Sequence, residues 1–398
     1  MPLFTAIAIL SLALGIGPNT AIFSFVNSVL FQDWGVDDPT QIVDIYNLTS
    51  RGEYFFNDYR TFELIKEGTP DVFEAVAQHS IFIGRIGTGS DSEMVLGEMV
   101  TGNYFEVMGV SAALGRTFLP EEDATLETHP VIVISDDFWR TRQGADPAVV
   151  GQQLRLNWRP YTVVGVAPPV FRGHFASGVC ADFWVPFSMY PHRNPNKPGN
   201  GDLTITGRLR TGVQAGQAIA AVETVGTRHD EELTAANPDR RGRFALIAVS
   251  LADVRLHPSM DRTVTAIAAL LFVAVGLVFL VACVNLATFL LSRAVDRRKE
   301  MAVRIALGAG RVAIVRQLLV ESLVLSGLGA ALGLFLGQAA MRALVRIEPP
   351  VPIPVELELG LDIPLLIFTA VAAIMAAVIF GPRSGTRSHT RACGRHAA

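Results

Sequence analysis

The chain has 398 residues, of which 50% are hydrophobic and only 18% charged, with a formal net charge of -4. Soluble proteins carry about 25% charged residues, so this composition, with a mean hydropathy of +0.37, leaves a membrane protein or an apolar-rich enzyme. The uneven distribution of charge along the chain excludes a single globular core, and three cysteines exclude a disulfide framework.

The first apolar run is 3–31, with no charged side chain from Leu3 to Gln32. As a helix, a run of this length reaches about 40 Å, enough to cross a bilayer. Gly15, Gly17 and Pro18 interrupt it, and the proline predicts a kink. A cleaved signal peptide is the competing reading; the lack of a basic n-region argues against it.

Residues 33–262 read as soluble protein, with 30 acidic and 20 basic residues for a net charge of -10. β-rich runs occur at Val131–Ile134 and Tyr161–Val166, set off by Ala167-Pro168-Pro169 and Pro195-Asn-Lys-Pro-Gly199. Helical patterns fall at Asn57–Glu67 and Gln214–Leu233. The mixture predicts an α+β domain of two lobes, with an insertion lobe at about 109–198.

Charge vanishes again over 264–291, the second expected span, which carries Asn285 near one end. The loop 293–316 then holds seven basic and two acidic residues, a net of +5. Apolar runs at 318–344 and 363–380 complete four expected transmembrane helices. The positive-inside rule puts the basic loop in the cytoplasm. By parity the 33–262 domain is then extracytoplasmic and both termini are cytoplasmic. The tail, 381–398, has four arginines and no acid, in keeping with that side.

Within the basic loop, Glu300 and Arg304 stand four apart, the favoured polarity for a helical ion pair. Met301 and Ile305 share a face, and Gly308-Ala309-Gly310 is a helix stop. A short amphipathic helix at the inner membrane surface follows. Two readings stay open on these grounds alone: a lipid-headgroup anchor or a docking element. The third span carries Gly329, Gly333 and Gly337 at intervals of four. Such small-residue stripes let helices approach closely, as simple packing or as a dimer or moving seam.

No Gly-x-x-x-x-Gly-Lys-Ser/Thr run is present, so no phosphate-cradling loop is expected. The histidines at 79, 129, 174, 192, 229 and 257 lack metal-ligand spacing and accompany no nucleophile motif. They read as surface-loop residues, and the chain as neither an enzyme nor a metal or cofactor binder.

Several stretches together resemble the MacB/FtsX-type ABC transporter permeases. Glu300-Met-Ala-Val-Arg304-Ile-Ala-Leu-Gly308-Ala and Val315-Arg-Gln-Leu-Leu-Val-Glu321-Ser look like the permease signature. Gly102-Asn-Tyr-Phe-Glu-Val-Met-Gly-Val110, Gly115-Arg-Thr-Phe118, Val133-Ile-Ser-Asp-Asp-Phe-Trp139, Asp146-Pro-Ala-Val-Val-Gly151 and Val163-Val-Gly-Val-Ala-Pro168 resemble the MacB-like periplasmic core. Val281-Ala-Cys-Val-Asn285-Leu-Ala is similar to the family's second span. The likeness runs to about Phe380 and is nearest to one unit of the duplicated orphan permeases of soil bacteria. Residues 381–398 depart from the pattern and are read as an aberrant tail.

The resemblance implies a bacterial inner-membrane permease subunit or half-permease, with an FtsX-like permease domain over 264–380. It implies a separate ABC-type ATPase that binds the ATP and docks on Arg297, Arg298, Glu300, Met301, Arg304 and Leu307. It further implies a homodimer or a second permease unit, a periplasmic adaptor, efflux or export as the outcome, and no nucleic acid. The alternative is an FtsX-like regulator that activates a periplasmic partner enzyme by the same mechanics.

Overall fold

The structure is a computed structural model of the 398-residue chain. It describes residues 35–49, 52–87, 92–174, 180–189, 203–239 and 244–253, together with separate helical positions between 6 and 17, 263 and 284, and 320 and 339. The chain divides into two compact units, one of Val29–Thr263 with Pro349–Glu356, the other of Met1–Ser28, Val264–Glu348 and Leu357–Ala398.

The first unit is built on one sheet. Its strands are β1 (Ile42–Leu48), β2 (Tyr54–Phe55), β3 (Phe73–Ile86), β4 (Glu93–Val100), β5 (Leu114–Gly115), β6 (Val131–Ile134), β7 (Gln153–Leu156), β8 (Arg159–Val166), β9 (Phe183–Pro186), β10 (Thr204–Leu209) and β11 (Leu246–Ser250). Their order is β11-β1-β10-β3-β4-β9-β6-β8-β5, with β2 on β1 and β7 bridging β3 and β8. Among the described residues four α-helices accompany them: α1 (Tyr59–Gly68), α2 (Tyr104–Met108), α3 (Asp136–Arg142) and α4 (Ala215–Ala236).

The helices form where local chemistry favours them. The Asp58 carboxylate accepts from the Thr61 amide at 2.9 Å and starts α1. Its buried residues Thr61, Phe62 and Ile65 make one stripe. Ser135 caps α3 through the Phe138 amide; Asp136 and Asp137 lie in its first turn and Arg140 and Arg142 in its last, matching the helix dipole. α4 buries Ala218, Val222, Val225, Gly226 and His229. Gly226 has a steric reason: a Cβ there would stand 2.8 Å from the Leu246 amide of β11.

α1 and α4 cover one face of the β11-β1-β10-β3 half, packing on Val43, Ile45, Ile205 and Leu209. At the other end a second apolar cluster joins Phe82, Met99 and Phe183 to Ile132, Ile134 and Phe138. The opposite face carries a third cluster around Ala77, Leu96, Val100 and Trp184, closed by α2, Phe118 and Phe171. β3, 14 residues long, and β4 run through both halves, so the segment between β4 and β10 extends the same sheet. Two of its pairings, β4–β9 and β6–β8, are parallel.

In the second unit the described positions have an inverted character. Ala13, Gly15, Gly17, Gly329, Gly333 and Gly337 are buried, whereas Leu14, Leu270 and Phe335 are each more than 60% exposed. Among the described residues no helix is long and apolar enough to cross a membrane. The spans expected at 3–31, 264–291 and 318–344 are described only in part, and that at 363–380 lies outside the described residues.

Candidate functional site

The register of the sheet sets up an unusual polar cluster on the face closed by α2. Asp44 of β1 lies opposite Thr206 of β10, Thr206 opposite Ala77 of β3, and His79 one side-chain repeat further along β3. Across β4, Glu98 lies opposite Trp184 of β9. Because residues two apart share a face, Asp44, Thr206, His79, Glu98 and Trp184 all point the same way, under an apolar lid. Asp44 and Glu98 are fully buried, and His79 is nearly so.

His174, from the connection between β8 and β9, completes the cluster. Its ring Nε2 stands 2.7 Å from Asp44 Oδ2 and its backbone amide donates to Glu98 Oε1 at 3.0 Å. One residue therefore ties β1 to β4 across the intervening β10 and β3. Gly173 permits this approach: its φ is +85°, and a Cβ would fall 3.0 Å from Glu98 Oε2. The two imidazole rings lie 4.6 Å apart.

Every carboxylate oxygen is engaged. Asp44 Oδ1 accepts from the Thr206 hydroxyl at 2.8 Å, and Asp44 Oδ2 also accepts from Tyr46. Glu98 Oε2 accepts from the Tyr104 hydroxyl at 3.0 Å and from the Trp184 indole at 2.6 Å. His79 Nδ1 lies 3.5 Å from Glu98 Oε1 and its Nε2 lies 3.3 Å from Thr206 Oγ1. Thr206 has one proton and two potential acceptors. When it donates to Asp44, His79 Nε2 must donate to it, which fixes the tautomer of a neutral ring. In that tautomer the hydrogen-bonded chain runs from His79 through Thr206 to Asp44, and Nδ1, 3.5 Å from Glu98 Oε1, can bond that carboxylate only when it too carries a proton.

The environment separates the protonation states. For Asp44 burial favours the neutral acid, but His174, His79 and Thr206 outweigh it and hold the carboxyl below its ordinary range. Glu98 is lowered likewise: burial is overcome by His79, His174 and Trp184. For His174 burial opposes the cation, and the charge and hydrogen bond of Asp44 reverse that and raise its pKa. His79 is lowered, by burial first and then by the charge of His174, against the pull of Glu98. Burial, with Glu98 beside it, pushes the Tyr104 phenol well above its usual value. The arrangement is an imidazolium–carboxylate pair next to a second imidazole whose Nδ1 lies 3.5 Å from a second carboxylate. It can store a proton on an imidazole between two buried carboxylates. Among the described residues no group of His, Cys, Asp and Glu has the geometry to hold a metal ion.

This cluster corrects the reading of the histidines as surface-loop residues: His79 and His229 are buried and the His174 side chain is 8% exposed, while His192 and His257 lie outside the described residues. Their sequence separation hid the association, because residues 44, 79, 98 and 174 meet only through strand pairing. Of the residues expected to act, Arg297, Arg298, Glu300, Met301, Arg304 and Leu307 lie outside the described residues. Gly329, Gly333 and Gly337 lie on one helical stretch. A Cβ on Gly17 would stand 3.0 Å from the Gly333 carbonyl oxygen, and one on Gly337 2.9 Å from that of Gly17, so two helices of this unit meet backbone to backbone there.

Comparison with known proteins decides the family. The family model described as MacB-like periplasmic core domain matches residues 5–225, and that described as FtsX-like permease C-terminal matches 272–385. The chain belongs to the MacB/FtsX-type ABC transporter permeases. A macrolide export ATP-binding/permease protein MacB of Escherichia coli is 25% identical over 305 residues, covering 74% of this chain and 43% of that protein. A second MacB, from Aeromonas hydrophila, is 29% identical over 235 residues, covering 58% of this chain and 33% of that protein. The periplasmic region of MacB from Actinobacillus actinomycetemcomitans covers 58% of this chain and 94% of that structure, at 15% identity and a TM-score of 0.40. The chain spans less than half the length of these curated relatives. The entire buried polar cluster falls within the match to the periplasmic core.

Proposed function

We propose that this chain is the permease subunit, or one half of the permease, of a MacB-like ABC transporter. ATP hydrolysis on a separate ATPase drives movement of its periplasmic domain for export. The observation that carries the reading is the succession of two domains in one chain, a MacB-like periplasmic core followed by an FtsX-like permease region. Export comes from the curated relatives, named as macrolide export ATP-binding/permease proteins.

In this reading four helices, at 3–31, 264–291, 318–344 and 363–380, cross the inner membrane with both termini inside. The exposed Leu14, Leu270 and Phe335 beside buried Gly17 and Gly333 suit a hydrocarbon solvent, where small residues line helix contacts and large apolar ones face lipid. The meeting of Gly17 with Gly333 and Gly337 is then a seam along which the first and third spans pack or slide. The 297–307 helix docks on the ATPase, with Arg304 as its polar anchor. A second permease unit and a periplasmic adaptor complete the assembly. Few polar groups lie within the apolar runs, chiefly Asn19, Asn27 and Asn285 with Glu321 near the inner boundary and Gln338 and Arg342 further along the third run, which favours transmission of force over a substrate path through the bilayer.

Charge reversal at the docking helix tests the reading. Arg304→Glu should lower the amount of ATPase that co-purifies with the tagged permease by about tenfold, as expected for the loss of about 1.4 kcal/mol of interface energy. Co-purification equal to the wild type would refute docking at this helix.

A further inference from the structure

The cluster around His174 has a consequence independent of the transport reading. Among the described residues, the ion-pair partners of buried Asp44 and Glu98 are imidazoles. The charge of this interior is therefore set by the protons that two rings carry. The groups that face His174 come from every element around it: Asp44 with Tyr46 on β1, Thr206 on β10, His79 on β3, Glu98 on β4, Tyr104 on α2 and Trp184 on β9. Asp44, Glu98, His79, Tyr46 and Tyr104 are its titratable neighbours.

His174 also fastens the described part of the β8–β9 connection to the sheet. Phe171, three residues before it, stacks on Trp184 at 5.3 Å, and the Ala181 amide donates to the Arg172 carbonyl. The ring and amide of His174 add the two polar attachments, one to each carboxylate. Because adjacent strands lie about 4.8 Å apart, β1 and β4 are separated by about 14 Å. His174 covers that distance with its backbone amide at Glu98 and its ring at Asp44.

We propose that His174 is a proton-dependent latch in the periplasmic core, holding residues 171–174 against β1 and β4 while the ring is an imidazolium and letting them go when the ring loses a proton. Loss of that proton leaves two buried carboxylates without a cation, and a buried unpaired charge is strongly disfavoured. Lifting the connection and hydrating Asp44 relieves this. The sign follows from linkage. A ring whose proton is held more tightly in the closed form stabilises closure below the ordinary imidazole range, and that stabilisation is lost as pH rises through the raised value. On the acid side the latch persists until pH falls through the lowered values of Asp44 and Glu98. The latch is thus closed in mildly acidic surroundings and opens toward alkaline pH.

Hydrogen–deuterium exchange of the full chain in detergent micelles, from about pH 5 to about pH 9 with times rescaled for intrinsic exchange, tests this. The His174 amide is itself a latch bond, so peptides covering residues 171–174 report on it directly. In the wild type their protection should fall by about tenfold or more as pH rises, since a tenfold preference of the closed form for the proton gives a tenfold change in closure. Residues 131–134 of β6 should stay protected throughout. His174→Gln should remove the pH dependence, and His79→Gln should keep it. Asp44→Asn, which withdraws the anion that holds the proton, should move the fall to lower pH. A flat wild-type profile would overturn the proposal even if His174→Gln does not fold. So would a His174→Gln profile that follows the wild type, or an unmoved midpoint in Asp44→Asn.

Discussion

Truncating Asp44 should be among the most damaging single changes in the periplasmic core. Asp44→Ala removes the anion 2.7 Å from His174 and strands the Thr206 hydroxyl, whose acceptor is Asp44 Oδ1. Breaking a buried ion pair from one side costs about 3–5 kcal/mol, and an unsatisfied buried hydroxyl adds about 1–3 kcal/mol. His174 can shed its proton and soften the loss, which puts the expected cost at about 3–4 kcal/mol. Asp44→Asn, which keeps an acceptor for Thr206, should cost about 1–2 kcal/mol. The assay is pulse proteolysis of the full chain in detergent across a urea series. With a urea m-value of about 2–3 kcal/mol/M, Asp44→Ala should lower the midpoint by roughly 1–2 M. Asp44 and His174 touch, so their effects should not add; the Asp44→Ala/His174→Ala double variant should be less unstable than the sum by about 1–3 kcal/mol. A midpoint within about 0.3 M of the wild type, or strict additivity, would show that the pair is solvated and would refute the argument.

Other positions give sharp expectations. A Cβ on Gly97 would lie 2.5 Å from the Phe183 carbonyl oxygen and 2.6 Å from its ring, so Gly97→Ala should cost about 1–3 kcal/mol in the same urea assay; an unchanged midpoint would mean that the β4–β9 contact has slack. Gly337→Leu should lower the thermal midpoint of the full chain in detergent, because its side chain meets the Gly17 backbone, while Phe335→Leu, exposed on the same helical stretch, should not. Equal melting of the two variants would remove the glycine seam from the account. Trp184→Phe keeps the ring against Phe171 and Phe105 but withdraws the indole donor from Glu98. It should destabilise by about 1.5–3 kcal/mol, the range for a hydrogen bond to a charged group, and a loss below about 0.5 kcal/mol would count against an ionised Glu98.

Local signals in the sequence map closely onto the elements they describe. The run Val131–Ile134 is β6, and Tyr161–Val166 falls within β8, because short β-branched runs ended by Gly and Pro leave few alternatives. The helical patterns at Asn57–Glu67 and Gln214–Leu233 appear as Tyr59–Gly68 and Ala215–Ala236; Asp58, read as helical, is the cap instead. What the sequence does not display is pairing. Nothing local says that Gly97 lies beside Phe183 or Asp44 beside Thr206, and long-range register alone creates the polar cluster. His79 belongs to a strand whose alternation is obscured by burial on both faces, and His174 follows a glycine in a loop, so neither carried a mark of burial. The FtsX-like region was legible for the opposite reason, since its motif is contiguous.

The most direct test of the account is sidedness. In a cysteine-free background, Trp158→Cys, at an exposed position between β7 and β8, and Ala309→Cys, in the basic loop, are treated with a membrane-impermeant maleimide in intact spheroplasts and after lysis. Position 158 should label in intact spheroplasts and position 309 only after lysis. Labelling of 309 from outside, or protection of 158 until lysis, would contradict the assignment of the polar cluster to the periplasm and of the docking helix to the cytoplasm.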